Sequence, residues 1–292
     1  KEKFSKKQWQ LKQQRRCKEC IGQNREVVRL DTVPNKDSPL LADGEGEGVS
    51  SWTDEDLFKQ PPPNDECPIC MLTLSIDSIE TRYQGCCGKT LCLGCAHTDY
   101  MEHNRTLCPF CRTPQYTSVR ERVKRLQKRA EEEDANAMRN LACFYHDGKK
   151  GLPRNRNKAY KLFLRAGELG DAMAYGNIAH IYDNGEGVEK DTKKARYYCE
   201  LAAMGGAVKS RHILGIDEEN AGNMTRALKH YMIAAEVGCD KSLANIQKCY
   251  SSGYVTKDDF EKALRAHKEA KDEMKSEQRE AAAAYYGRHY LL

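Results

Sequence analysis

The sequence predicts two folded parts, a small cysteine-rich module and, after it, an all-α solenoid of helix-turn-helix repeats. The first is indicated by eight cysteines between Cys67 and Cys111, out of 14 in the 292-residue chain. The second is indicated by a pattern of small and apolar residues that recurs in successive segments of 37, 36 and 32 residues from Asp134 onward. No run of apolar residues approaches the length of a membrane span, so we expect no membrane partner.

The cysteines of the first part form four close pairs, Cys67–Cys70, Cys86–Cys87, Cys92–Cys95 and Cys108–Cys111. Two thiolates separated by two residues can bind one zinc ion from a single tight turn, and zinc takes four such ligands. Eight cysteines therefore predict two zinc ions. The alternative is a disulfide framework, which needs an oxidising compartment. Because only four cysteines follow residue 111, we favour metal and expect the cytoplasm or the nucleus.

The order of the pairs resembles the RING finger family in the stretches CPIC, GCCGKTLCLGC and CPFCR. The resemblance implies a small α+β fold over residues 64–115 with interleaved zinc sites. One zinc would be held by Cys67, Cys70, Cys92 and Cys95, and the other by Cys108 and Cys111 with ligands from Cys86 and Cys87.

The second site departs from the family's commonest pattern. Its usual central histidine falls at Lys89, which cannot bind zinc while it is protonated. One interpretation is an all-cysteine site completed by Cys86 and Cys87. The other is that Cys87 binds and that His97 or His103 supplies the fourth ligand, although both histidines are also explained as ordinary surface residues.

The module is too short to bury a large apolar core by itself. Structural zinc contributes on the order of 10 kcal/mol to folding and can replace such a core. With four thiolates on each ion, no position is open to activate water, so both ions are expected to be structural. The expected apolar filling comprises Met71, Leu72, Leu74, Ile76, Tyr83, Leu91 and Phe110.

RING domains recruit a ubiquitin-conjugating enzyme that carries a ubiquitin thioester, and the resemblance implies the same partner here. Its contact surface would include Ile69 in the first loop and Pro109 in the last, two apolar residues suited to a small docking patch. Arg112 matches the family's linchpin position, from which its planar fork would bond enzyme and ubiquitin together. That role orients the thioester without a covalent intermediate. The alternative for Arg112 is a solvated charge that begins a linker.

Residues 134–275 contain the repeats. DANAMRNLACFYHDG and DAMAYGNIAHIYDNG open the first two copies, a shortened third begins at Ala207, and a degenerate fourth contains SLANIQKCYSSG. Alanines recur at two positions, where they allow paired helices to approach closely, while Leu141, Ile178 and Leu214 are expected to fill the core between helices. The alanines are Ala159, Ala195, Ala227 and Ala263 at one position and Ala166, Ala202 and Ala234 at the other.

These copies resemble Sel-one-like repeats, which are related to the tetratricopeptide class. The resemblance implies a scaffold that binds a protein partner on its concave face, which in a ligase would be the substrate. Residues 276–292 are assigned as a C-terminal tail.

A connecting helix is predicted over residues 116–133. Its apolar stripe is formed by Val119, Val123, Leu126 and Ala130. The opposite face carries Arg120, Arg122, Lys124, Arg125, Lys128 and Arg129. This face could meet nucleic acid or an acidic partner, but a solvated face is the simplest interpretation.

The N-terminal region is expected to lack a packed core. Residues 31–63 are rich in acidic residues, glycine and proline and predict a disordered linker. Residues 1–30 are basic, and FSKKQ with the Cys17–Cys20 pair resembles half of an Stc-one-like zinc module. The alternative is a basic tail with two free thiols.

Three functions follow. The leading one is a RING-type ubiquitin ligase that selects a protein substrate through its repeats. The others are a non-catalytic zinc-binding adaptor, because the usual histidine is missing, and a scaffold linked to chromatin or RNA. The net charge of +5 combines basic and acidic segments that partly cancel, so it gives little support to nucleic acid as the main partner.

Overall fold

The computed structural model describes residues 52–103 and 106–289. Expectations for residues 1–51, among them the Cys17–Cys20 pair, lie outside the described residues. In the described ranges no helix has both the length and the apolar character needed to cross a membrane. The helices are α1 (Asp54–Leu57), α2 (Leu93–His103), α3 (Val119–Glu131), α4 (Ala135–Asp147), α5 (Arg156–Glu168), α6 (Ala172–Asn184), α7 (Thr192–Met204), α8 (Val208–Asn220), α9 (Met224–Glu236), α10 (Asp240–Ser251), α11 (Lys257–Glu273) and α12 (Glu277–His289); the strands are β1 (Thr81–Gln84) and β2 (Lys89–Cys92).

The cysteine-rich module is built on a two-stranded antiparallel hairpin followed directly by α2. The register pairs Thr81 with Cys92 and Gln84 with Lys89, so the turn between the strands carries Cys86 and Cys87. Gly88 closes this turn at φ = 69°, a left-handed conformation that glycine adopts without steric cost. The hairpin and helix thus bring two of the four cysteine pairs to opposite ends of β2.

The apolar filling of the module is smaller than the sequence predicted. Leu74 and Leu91 are buried as expected, and both pack against the first group of cysteines. Met71 and Phe110 are instead 41% and 38% exposed. Both flank the second cysteine of a tight CPxC turn, so they lie on the outside of that turn and not between the two sites.

The solenoid consists of four consecutive helix pairs, from α4–α5 to α10–α11. Short polar side chains begin several of these helices by accepting a hydrogen bond from the first turn, as Asp134 does from the amide of Ala137. Gly148 and Gly185 end α4 and α6 at φ = 67°, the left-handed position where glycine is favoured.

The core of the solenoid is the one that the repeat pattern predicts. The seven alanines of the two recurring positions are all buried, and so are Leu141, Ile178 and Leu214. Small side chains at the crossing points allow the paired helices to pack closely, which leaves the larger aliphatic residues to fill the space between pairs. This prediction is confirmed.

The connecting helix α3 packs against both parts of the chain. Val123 and Leu126 are buried, whereas Val119 is 45% exposed, so the predicted stripe holds for only part of its length. Val119 is the first residue of the helix. Near the other end, the hydroxyl of Tyr83 donates to the carboxylate of Asp134 over 2.8 Å, which ties the hairpin to the first repeat.

Two segments that the sequence assigned to a linker and to a tail are folded onto the rest of the chain. Residues 52–63 were predicted to belong to a disordered linker, but they form α1 and place Leu57 in the solenoid core at 1% exposure. Residues 277–289 were predicted to be tail, but they form α12, which packs on α2. Both segments contribute a few apolar residues to cores formed elsewhere, and composition averaged over a window does not reveal this.

Candidate metal centres

Two tight turns of the same geometry carry the outer cysteine pairs. In the first, the amide of Cys67 donates to the carbonyl of Leu72 over 2.9 Å; in the second, the amide of Cys108 donates to the carbonyl of Thr113 over 2.7 Å. The residue after each pair, Met71 or Arg112, adopts φ = 61°. A side chain is strained in this left-handed region. Such strain persists only where the surroundings hold the turn, as a metal bound to both cysteines would.

The first group of cysteines combines the first turn with the junction of β2 and α2. It consists of Cys67, Cys70, Cys92 and Cys95, whose sulfurs all lie within 4.8 Å of one another. The sulfurs of Cys70 and Cys92 are 3.8 Å apart. The amides of Cys92 and Cys95 donate to the sulfurs of Cys67 and Cys92 over 3.4 and 3.3 Å. Amide donors of this kind stabilise thiolates.

The second group combines the hairpin turn with the second tight turn. It consists of Cys86, Cys87, Cys108 and Cys111, again within 4.8 Å of one another. The sulfurs of Cys86 and Cys111 are 3.5 Å apart and those of Cys87 and Cys108 are 4.0 Å apart. This group lies nearer the surface, because Cys108 is buried while Cys111 is exposed.

The spacing of the sulfurs fits a tetrahedral metal and excludes disulfides. Four thiolates about 2.3 Å from a central zinc lie about 3.8 Å from one another, which is close to the sulfur–sulfur distances of 3.5 to 4.0 Å in the two groups. A disulfide would bring a pair to about 2.05 Å, and all described cysteines are free. The donor set of each group is therefore complete for a structural ion. That the ions bind, and that they are zinc, stays a prediction.

The charges of the two groups also favour a cation. The neighbouring thiols of Cys67, Cys70 and Cys92 raise the pKa of Cys95 above its ordinary value. In the second group, burial raises the pKa of Cys87 to about 11. Four thiols this close resist joint ionisation because their negative charges repel one another. A divalent ion would remove that repulsion and displace the protons.

Neither alternative histidine joins the second group. The group is made of four cysteines, in line with the all-cysteine interpretation. His97 is buried and contacts the aromatic rings of Tyr285 and Tyr286, with ring centroids 4.7 and 5.6 Å apart. It is therefore not a surface residue either. His103 is exposed, and its Nδ1 lies 3.5 Å from a carboxylate oxygen of Asp99 on the same helix.

The residues expected to meet a conjugating enzyme lie on the two tight turns. Ile69 is partly buried and packs against the first group of cysteines, and Pro109 is partly buried on the second turn. Pro109 and Asp99 line a cavity of about 850 Å³ between the module and the solenoid. The side chain of Arg112 is exposed, and its guanidinium lies 3.5 Å from the carboxylate of Asp99.

The structure adds two residues that sequence reasoning missed, and both are in α12. Arg279 donates to the carbonyls of Thr73 and Leu72 over 2.7 and 3.2 Å, and its guanidinium lies 3.6 Å from the sulfur of Cys70. Cys95 lies 3.8 Å from the side-chain oxygen of Gln278. Because these residues are some 200 positions from the cysteines in sequence, no local pattern could have identified them.

The comparisons with known proteins concern the repeats. The family model described as Sel1 repeat matches residues 135–171 and 172–206. The resemblance to Sel-one-like repeats is therefore confirmed for these two copies, and the match does not extend over the cysteine-rich module. No curated protein gives a significant match to the sequence.

Two solved structures are similar to this chain. A Sel1 repeat protein from Oxalobacter formigenes is 27% identical with a TM-score of 0.45, over 52% of this chain and 64% of its own. A protective antigen of uropathogenic Escherichia coli with an SLR fold is also 27% identical, with a TM-score of 0.43, over 52% of this chain and 33% of its own. This chain thus spans less than two thirds of either protein.

Proposed function

We propose that this protein is a zinc-dependent, RING-type ubiquitin ligase whose solenoid engages a protein substrate. The observation that carries the proposal is the interleaving of the two cysteine groups, in which the first pair joins the third and the second pair joins the fourth. Interleaved sites fix both tight turns in one small rigid unit. That unit can present Ile69 and Pro109 as the docking patch for a conjugating enzyme.

The proposed contribution of the module is positioning. Arg112 is exposed beside the docking patch, so its guanidinium can reach a bound conjugating enzyme and ubiquitin, although it first has to leave Asp99. A donor that bonds both proteins favours the conformer in which the thioester is poised for attack. The two zinc ions would be held by the eight cysteines and would have a structural role only. A reducing compartment, the cytoplasm or the nucleus, follows from the same ligand chemistry.

The solenoid supports the second half of the proposal, since repeat arrays present extended surfaces to protein partners. The module and the solenoid contact each other through the Tyr83–Asp134 hydrogen bond and through α3, whose Arg129 donates to the carbonyl of Cys86 over 3.4 Å. This arrangement would hold a bound substrate at a fixed distance from a bound conjugating enzyme. Fixed geometry of this kind raises the effective concentration of the substrate at the thioester.

A non-catalytic zinc-binding adaptor is the second candidate. It is favoured by the contact of Arg112 with Asp99, which engages the proposed linchpin within the module. The third candidate, a scaffold linked to chromatin or RNA, would use the basic face of α3, but several basic residues of that face already contact other residues of this chain. Of its basic residues, Arg125 pairs with Glu121, Arg129 with Asp134, and Arg122 lies over the ring of Phe144.

Single-turnover discharge of ubiquitin to free lysine, from a panel of preloaded conjugating enzymes, tests the ligase proposal. Ile69→Ala should weaken enzyme binding by about 1–3 kcal/mol, while Arg112→Ala should leave binding nearly unchanged and slow discharge. Arg120→Ala is the matched control, since it removes an exposed arginine on α3. If the parent accelerates discharge from none of the enzymes, the adaptor is the better description.

Removal of metal tests the zinc centres separately. Metal analysis should find two zinc ions per chain. A strong chelator should unfold residues 64–113, while the solenoid keeps its helical circular dichroism signal. The reason is that the module has few buried apolar residues of its own, whereas the solenoid has a continuous core. A module that remains folded without metal would contradict this assignment.

A further inference from the structure

The solenoid holds a segment of its own chain in a surface groove. We define the docked segment as residues 52–60, sequence WTDEDLFKQ. The groove that receives it is formed by α7, α8 and α9. Its principal side chains are Tyr197, Arg211, Arg226, Lys229 and His230.

Apolar contacts anchor the docked segment at both ends. Trp52 stacks on Tyr197 with ring centroids 6.2 Å apart. Leu57 is buried within the solenoid core, and Phe58 lies 4.7 Å from the ring of His230. His230 is 0% exposed, and neither of its ring nitrogens has a hydrogen-bond partner among the described residues.

A buried arginine donates a hydrogen bond to the backbone of the docked segment. Arg211 is 2% exposed and donates to the carbonyl of Leu57 and, over 2.8 Å, to that of Ala203. A charge this deeply buried is costly without acceptors. If the docked segment were removed, Arg211 would lose one of them. The carbonyl of Leu57 therefore supplies one of the acceptors that this buried charge needs.

The charges of the groove complement those of the docked segment. Arg226 forms an ion pair with Asp54, and the ammonium of Lys229 lies 3.8 Å from the same carboxylate. Both cations also lie over the ring of Phe58, 5.3 and 4.8 Å from its centroid. The cationic edge of the groove, formed by these two residues, therefore contacts both the carboxylate of Asp54 and the ring of Phe58.

We propose that this groove is the peptide-recognition site of the solenoid. It takes a short acidic segment of a protein partner with the pattern Asp-x-x-Leu-Phe, and the docked segment occupies it in cis. This deepens the partner-binding half of the proposed function, but it does not depend on ligase activity. The supporting observations are the backbone-reading Arg211, the cationic edge, and a segment already seated with this chemistry.

The docked segment has the properties of a linear motif. Between the residues that contact the groove, Glu55, Asp56 and Lys59 are exposed. A few anchors separated by solvated residues are typical of exchangeable peptides. Because a tethered segment competes at an effective concentration in the millimolar range, a free peptide should enter the groove only when the contacts in cis are weakened.

The first experiment measures fluorescence anisotropy of a labelled synthetic peptide of residues 51–60 added to the full chain. We expect at least tenfold tighter binding to the Leu57→Ala/Phe58→Ala double variant than to the parent. Adding Lys229→Glu, which reverses the charge beside Asp54, should then weaken binding at least tenfold. Glu55→Ala, an exposed change within the docked segment, is the control and should behave as the parent. Equal binding to the parent and the double variant, or insensitivity to Lys229→Glu, would overturn the proposal.

A second variant covers the case in which the double substitution prevents folding. A protease site placed at Pro61–Pro63 in the full chain keeps every contact of the docked segment, and cleavage then makes its binding intermolecular. We expect the labelled peptide to replace the cleaved segment in the groove. A peptide in which Asp54, Leu57 and Phe58 are replaced by alanine should not replace it. A cleaved segment that never exchanges would identify a permanent structural strap. Neither result depends on the ubiquitin discharge assay, so the two proposals can fail separately.

Discussion

Replacement of Arg279 by alanine is expected to release α12 from the cysteine-rich module. The guanidinium makes two hydrogen bonds that cross between them, to the carbonyls of Thr73 and Leu72. A third bond, to the carbonyl of Met274 over 2.8 Å, closes the turn that precedes α12. Arg279 therefore fixes both the start of α12 and its contact with the first tight turn.

The free energy by which Arg279 stabilises the docking of α12 can be estimated from the two hydrogen bonds that cross to the module. A hydrogen bond from a charged donor contributes about 1.5–3 kcal/mol, and the lower value applies because Arg279 is only partly buried. Two bonds then give about 3 kcal/mol. At about 1.4 kcal/mol for each factor of ten, the opening equilibrium of α12 should rise roughly a hundredfold.

Native-state hydrogen exchange of the α12 amides measures this opening directly, in buffers of constant zinc concentration. Arg279→Ala should lower their protection roughly a hundredfold while the amides of α6 and α7 are unchanged. In Arg279→Lys the protection of the α12 amides should be intermediate between that of Arg279→Ala and that of the parent. The reason is that an ammonium keeps the charge but lacks the planar guanidinium. Arg265→Ala on α11 is the matched control, since that arginine is exposed. Protection in Arg279→Ala within twofold of the Arg265→Ala control would refute the reasoning.

Two further predictions concern close packing and acid. Gly94→Ala should destabilise the docking of α12 by about 1–3 kcal/mol, because the added carbon would lie 2.8 Å from the backbone nitrogen of Arg279. The control is Gly85→Ala, whose added carbon meets its neighbours at an ordinary 3.7 Å. In thermal unfolding this control should have the melting temperature of the parent. Burial, and then the charge of Arg211, lower the pKa of His230 to about 3. Since the unfolded histidine titrates near pH 6.5, stability should be lost as the pH falls below that value, by up to about 2 kcal/mol between pH 7 and pH 5. Urea unfolding at both pH values should show a smaller loss in His230→Phe, and an equal loss would contradict this assignment.

The cores of the repeats could be predicted from the sequence because their pattern recurs. Ala159 and Ala195 occupy the same place in successive copies, so each supports the interpretation of the other, and both are buried. The grouping of the cysteines was expected from a different source, the resemblance of the order of their pairs to the RING finger family, in which the sites interleave. Short-range spacing constrains only the cysteines within one pair, because the two thiols of a CPxC turn have little freedom to separate.

The contacts made by the two ends of the described chain could not be predicted in this way. Leu57 is a single aliphatic residue in an acidic, proline-rich stretch, and its burial depends on a cavity made by helices about 150 residues later. For His97 the sequence left two alternatives, a zinc ligand or a surface residue, and neither describes its burial against Tyr285 and Tyr286, which belong to a segment without apolar periodicity. Both errors have one cause, since a long-range contact leaves no local signal.

The docking of α12 on the module has a consequence for how the chain folds. A linear array of repeats frays from its ends, because each terminal repeat has a neighbour on one side only. Here the module touches the first repeat through Tyr83 and the helix beyond the last repeat through Thr73, so the array is closed into a loop. The bond between Thr73 and Arg279 joins residues 206 positions apart. During synthesis it can form only after the whole solenoid has emerged, so the array stays open at both ends until its last helix is complete.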